Sequence, residues 1–150
     1  MTEVESQPFP IVHLATHGEF GSTAEDTFIL TWDDRFTANE FSQLLQSRSG
    51  GQPIELLILS ACRTATGDDR AALGLAGIAV RSGARSTLAS LWYISDEATS
   101  VLMSKLYAVL GEQNTTKAEA VRQAQLELLN NPQYANPYYW APFVLVGNWL

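Results

Sequence analysis

Continuous apolar runs of strand length alternate along this chain with segments whose apolar positions recur at helical spacing. The stretch "PIVHLATHG" (residues 10–18) carries the strand formers Ile11, Val12 and Leu14 and ends on a glycine. It predicts a strand over residues 11–16, with the only two histidines, His13 and His17, toward its C-terminal end. "DTFILTWDDRFTANEF" (26–41) has β-branched and aromatic residues on both sides of Asp33-Asp34, which predicts a short excursion or hairpin. "SQLLQSRSGG" (42–51) then reads as a helix closed by glycines. "IELLILSAC" (54–62) is apolar without alternation, the pattern of a strand covered on both faces, and predicts a parallel strand over 54–60.

In "RAALGLAGIAVRSG" (70–83) and just beyond it, Leu73, Gly77, Val80 and Ala84 share one side at helical spacing, so a helix packed closely on a sheet is expected. "RSTLASLW" (85–92) supplies the next strand. "SDEATSVLMSKLYAVLG" (95–111) places Ala98, Leu102, Leu106, Val109 and Leu110 on one stripe, with Ser95 as N-cap and Gly111 past the end. A further helix opens at Thr116, whose spacing to Glu119 fits a capping box, runs through Val121, Gln125 and Leu128, and stops at Asn130-Asn131-Pro132. Phe143 to Val146 offers a last strand. The alternation implies one α/β domain over residues 1–150, with four core strands in a mostly parallel sheet. Any active site belongs at the C-terminal edge of those strands. Such a small sheet leaves an edge open to pairing.

Composition narrows the function. With 46 % hydrophobic and 17 % charged residues, the 150-residue chain can bury a substantial core. Nine basic against sixteen acidic residues give a net charge of −7, which opposes a phosphate-backbone partner and makes a nucleic-acid role unexpected. The start "MTEVESQPFP" lacks an apolar leader, and no apolar run approaches the roughly 20 residues that span a bilayer. One cysteine forms no intrachain disulfide, so a soluble, cytoplasmic protein is the default expectation.

That cysteine, Cys62, follows one predicted strand just as His17 follows another, 45 positions earlier in the chain (17 to 62). In a parallel sheet both strand ends share a rim, where an imidazole can lower a thiol pKa from about 8.5 and generate the attacking thiolate. Gly18 permits its own N–H to approach a developing oxyanion, with the N–H of Cys62 as second donor. The plainer reading makes Cys62 a small buried hydrophobe. His13 matches His17 in strand parity, which raises a metal pair, but no third ligand has the right spacing, and a core histidine is preferred. Ser60 lacks the Gly-x-Ser-x-Gly elbow and is set aside as a nucleophile. "GLAG" is not a phosphate loop, and no glycine-rich loop follows the first strand, which disfavours a doubly wound ligand-binding domain. Asp96 suits the positive end of a helix, or the floor of a pocket for a basic side chain. Trp92 is either core or cleft wall.

"HLATHGEF", "LLILSACRTATGDDRAALGLAGIAVRSGARSTLASLWYISDEATSVLMSKLYAVL" and "YYWAPFVLVGNW", in that order, resemble the C-terminal half of a CHAT domain, the caspase-like family related to separase. "ACR" is also similar to the caspase cysteine signature, with Thr64 where caspases have glycine. The resemblance implies a caspase-haemoglobinase-like three-layer sandwich, with the family's N-terminal strands missing from this chain. It also implies a cysteine endopeptidase using a His17–Cys62 dyad, with the N–H groups of Gly18 and Cys62 as oxyanion donors. The strand ending "SLW", with Leu91 and Trp92, would pair with an extended protein or peptide substrate, and Asp96 would receive a basic P1 residue. No metal or organic cofactor is implied. The alternative is an inactive CHAT-like interaction module, with a tetratricopeptide-repeat protein or a second chain completing the sheet.

Overall fold

The computed structural model describes residues 9–19, 27–32, 34–47, 53–60 and 71–150, with residues 19 and 71–75 described in backbone only. In chain order its elements are β1 (Ile11–Leu14), β2 (Gly18–Glu19), β3 (Phe28–Leu30), β4 (Arg35–Thr37), α1 (Ala38–Ser47), β5 (Leu56–Leu59), α2 (Ala71–Arg81), β6 (Ser86–Ser90), α3 (Asp96–Leu110), α4 (Lys117–Leu129), α5 (Pro137–Trp140) and β7 (Phe143–Gly147). The main sheet has the order β1-β5-β6-β7. The β1–β5 and β5–β6 pairs are parallel, and β7 closes the sheet antiparallel to β6. The expected four-stranded, mostly parallel core is therefore present, with β1 at its edge among the described residues.

The unbroken apolar run of β5 is explained by burial on both faces. Leu57 and Leu59 join Val12, Ala89, Phe41 and Leu44 in one core, beneath α1 and α2. Leu56 and Ile58 join Leu88, Leu102, Leu106 and Leu128 in the other, beneath α3 and α4. Each leucine buried to this extent contributes about 1.5–3 kcal/mol. Of the stripe read on α3, Ala98, Leu102, Leu106 and Val109 are all at most 1 % exposed, and Leu110 is partly buried against the same core.

The caps foreseen for the two long helices are made. Ser95 Oγ accepts from the Ala98 N–H at 3.3 Å, and Thr116 Oγ1 accepts from the Glu119 N–H at 3.1 Å. The Glu119 carboxylate does not return to Thr116. It binds Arg122 and Gln123 instead, and those hydrogen bonds, Arg122 first, pull its pKa down to about 2. Gln125, on the same helix, donates to the carbonyls of Trp140 and Phe143 at 3.1 Å each and ties α4 to the start of β7. Gly147 ends that strand at φ +102°, where a Cβ would collide with the carbonyl oxygen of Arg85.

Several expected boundaries need correction: the strands expected over 54–60 and 85–92 span Leu56–Leu59 and Ser86–Ser90. The helix predicted over 42–51 begins at Ala38 instead. The cause is a reciprocal cap one turn upstream: the Thr37 N–H donates to Glu40 Oε2 at 2.8 Å, and the Glu40 N–H donates to Thr37 Oγ1 at 3.3 Å. The first strand ends at Leu14, not at residue 16. Beyond it the Leu30 N–H donates to the His17 carbonyl at 2.7 Å, and Thr16 Oγ1 donates to the Leu30 carbonyl at 2.7 Å. These bonds draw the chain off the main sheet and into a second, antiparallel sheet of order β2-β3-β4, whose β3–β4 pair is the predicted hairpin.

Candidate functional site

The parallel register decides what meets at the C-terminal rim. Leu14 lies opposite Leu59, the last residues of β1 and β5, and the Ser60 N–H continues the ladder to the Leu14 carbonyl at 3.3 Å. His17 stands three residues past Leu14, and Cys62 stands three residues past Leu59 in sequence. The His17 imidazole is exposed and has no hydrogen-bond partner among the described residues. Gly18 is buried at the start of β2, opposite Ile29. Cys62, whose N–H is the second expected oxyanion donor, lies outside the described residues, as does Thr64.

Asp96 opens α3 and is exposed beside Glu97 in the first turn, where the helix dipole favours both charges. It lies beyond the C-terminal end of β6, on the same side of the sheet as the ends of β1 and β5. Leu91 is partly buried against the α1–α2 core, and its N–H already donates to the Pro142 carbonyl at 3.0 Å. That amide is thus engaged with the strand's own neighbour. Trp92 is partly buried. Its ring packs partly on the α3–α4 core, Nε1 donates to the Tyr138 carbonyl at 3.0 Å, and its centroid lies 6.4 Å from that of Tyr138. Tyr138 in turn donates from its hydroxyl to the Tyr93 carbonyl at 2.7 Å.

The two histidines do not act as a pair on one strand face. Alternation stops where the chain leaves the sheet after Leu14, so sequence parity no longer relates residue 13 to residue 17. His13 is not a plain core residue either. It is only partly buried, its Nε2 lies 2.7 Å from Ser60 Oγ, and its Nδ1 lies 2.9 Å from the Tyr107 hydroxyl. Both ring nitrogens are therefore engaged by hydroxyls and neither is directed to a metal. Among the described residues no three His, Cys, Asp or Glu side chains converge as a metal site. Burial pushes the His13 pKa below its ordinary value and pushes the Tyr107 phenol above its own.

Sequence reasoning missed Ser60 and Tyr107 as members of this group. The signal for Ser60 was present: His13 pairs with Ile58 in parallel register, so a residue two further along β5 shares its face. Tyr107 gave no such signal, being 94 residues from His13 and off the apolar stripe of its helix.

A mostly parallel four-stranded sheet with helices on both faces, and with His17-Gly18 following its strand β1, defines a small α/β domain. Among known families, the model described as CHAT domain matches residues 1–148. The chain belongs to the CHAT domain family. No curated protein matches it.

Proposed function

We propose that this CHAT domain is a caspase-like cysteine endopeptidase in which Cys62 is the nucleophile and His17 the general base and acid. The observation that carries the reading is the β1–β5 register. Leu14 and Leu59 are level in adjacent parallel strands, and in sequence the histidine and cysteine each follow three residues later. The His17 imidazole is exposed, as a base that meets substrate must be.

In this mechanism His17 takes the proton of the Cys62 thiol, and the thiolate attacks the scissile carbonyl carbon. The C–S bond forms as the carbonyl electrons move onto oxygen, where the N–H groups of Gly18 and Cys62 stabilise the charge. Collapse breaks the C–N bond, and the His17 imidazolium protonates the departing amine. His17 then deprotonates a water that attacks the thioester and releases the acid and the thiol. Asp96 gives a basic P1 side chain a carboxylate, and Leu91 and Trp92 border the substrate. Because the Leu91 N–H is held by Pro142, backbone pairing with substrate falls to the carbonyls and to the residues flanking Leu91.

The test is cleavage of peptides bearing Arg or Lys at P1, compared with matched peptides bearing Ala. Cleavage that is lost in both Cys62→Ala and His17→Ala, and weakened about 10-fold or more in Asp96→Asn, supports the whole reading. Cleavage unchanged in Cys62→Ala would refute it. A second reading is favoured by the position of β1 at the edge of the sheet, with Ile11 exposed. It is a non-enzymatic CHAT module that pairs through this edge with another chain, such as a tetratricopeptide-repeat protein. That module binds its partner equally well with Cys62→Ala.

A further inference from the structure

Ser60 is tied to β1 twice, by its backbone and by its side chain. The backbone bond to the Leu14 carbonyl is long at 3.3 Å, whereas Oγ lies 2.7 Å from His13 Nε2. The ring is fixed from its other side by the Tyr107 hydroxyl at 2.9 Å, with ring centroids 5.9 Å apart and the planes inclined at 38°. A hydroxyl–imidazole–hydroxyl chain thus joins β1, the end of β5 and the last turns of α3. From Ser60 only Ala61 intervenes before Cys62, a reach of at most about 7 Å of chain.

The chain of groups is complete with a neutral ring. Neutral imidazole has one N–H and one lone pair, so one hydroxyl accepts and the other donates, and both nitrogens are satisfied. Burial favours this form, since it lowers the affinity of His13 for a second proton and keeps the Tyr107 phenol protonated.

We infer that His13 is a positioning residue for the Cys62 chemistry, acting through Ser60 and itself oriented by Tyr107. Through the bond from His13 Nε2 it holds Ser60, which stands two positions before the proposed nucleophile in sequence. This inference rests on the reading of Cys62 and His17 as nucleophile and base. A displacement of about 1 Å in a reacting group can cost on the order of 100-fold in rate, so a side chain two residues away has leverage without touching substrate. The serine set aside as a nucleophile acquires a different role, that of the link between His13 and the cysteine two positions on.

The experiment measures Cys62 alkylation by iodoacetamide against pH in the full chain, together with kcat and KM on the basic-P1 peptides. The chains are the wild type, His17→Ala, His13→Ala, Ser60→Ala, Tyr107→Phe and the double variant His13→Ala/Ser60→Ala. Folded material is verified by circular dichroism and rates are expressed per alkylatable thiol, so that loss of stability alone does not move them. Expected is a fall in kcat of about 10- to 100-fold in His13→Ala and in Ser60→Ala, with KM within about twofold, and a smaller fall in Tyr107→Phe. The double variant should be no worse than the poorer single one, since His13 acts through Ser60. The thiol pKa should rise in the same order. If His13→Ala does not fold, Ser60→Ala and Tyr107→Phe carry the test. A wild-type thiol that is coupled to His17, and stays equally coupled in Ser60→Ala and Tyr107→Phe with kcat unchanged, overturns the positioning role alone. A wild-type thiol indifferent to His17→Ala removes the dyad, and the positioning role with it.

Discussion

The layer of α3, α4 and α5 and the rim at the ends of β1 and β5 are held together in opposite ways. In the helical layer the N-caps come from residues two or three positions away: Ser95 to Ala98, Thr116 to Glu119 and Asn136 to Tyr138. At the rim the contacts are distant in sequence, with 47 positions between His13 and Ser60 and 94 between His13 and Tyr107. The helical layer is a scaffold whose ends close locally around a shared apolar core. The rim is held by strand register and by a few polar bonds. Damage to the first should therefore lower stability without changing the chemistry of the folded fraction, and damage to the second should do the reverse.

The largest test of that separation is Leu102→Ala. The side chain is wholly buried between α3 and the sheet, so about 2–5 kcal/mol should be lost in urea unfolding. The thiol pKa of the folded protein should remain that of the wild type. A smaller effect is expected of Thr116→Ala, which removes the acceptor for the Glu119 N–H. It should cost about 1 kcal/mol by the same measurement, again without effect on Cys62. Smallest is the pH dependence contributed by His13. Its pKa is lowered in the folded state by burial, so below about 6.5 the unfolded chain binds a proton that the native ring refuses. The contribution is present in full above that pH and lost as the pH falls through it. Midpoints of urea unfolding between pH 7 and pH 5 should therefore fall less in His13→Gln than in the wild type.

The same division explains what could be read from the sequence. The both-face burial of β5 was legible from four consecutive apolar residues, Leu56 to Leu59. Ser95 and Thr116 were legible as caps because a cap is a local pattern. The cap at Thr37 and Glu40 is equally local but sits inside a stretch whose aromatic and β-branched residues argue for strand, so the helix start was placed too late. The early end of β1 was hidden because it depends on the hairpin, through the bond from Leu30 to His17. The placement of His17 and Cys62 beyond neighbouring strands followed from reading both runs as parallel strands, and the register agrees for the strands themselves. The role of His13 was not legible. A histidine in an apolar strand takes its meaning from what faces it, and one of its two partners is a tyrosine on a distant helix.

The most direct measurement is the pH dependence of Cys62 alkylation in the wild-type chain and in His17→Ala. The account predicts a thiol pKa well below about 8.5 in the wild type that returns toward that value when the imidazole is removed. An ordinary thiol pKa, the same in both chains, would contradict it.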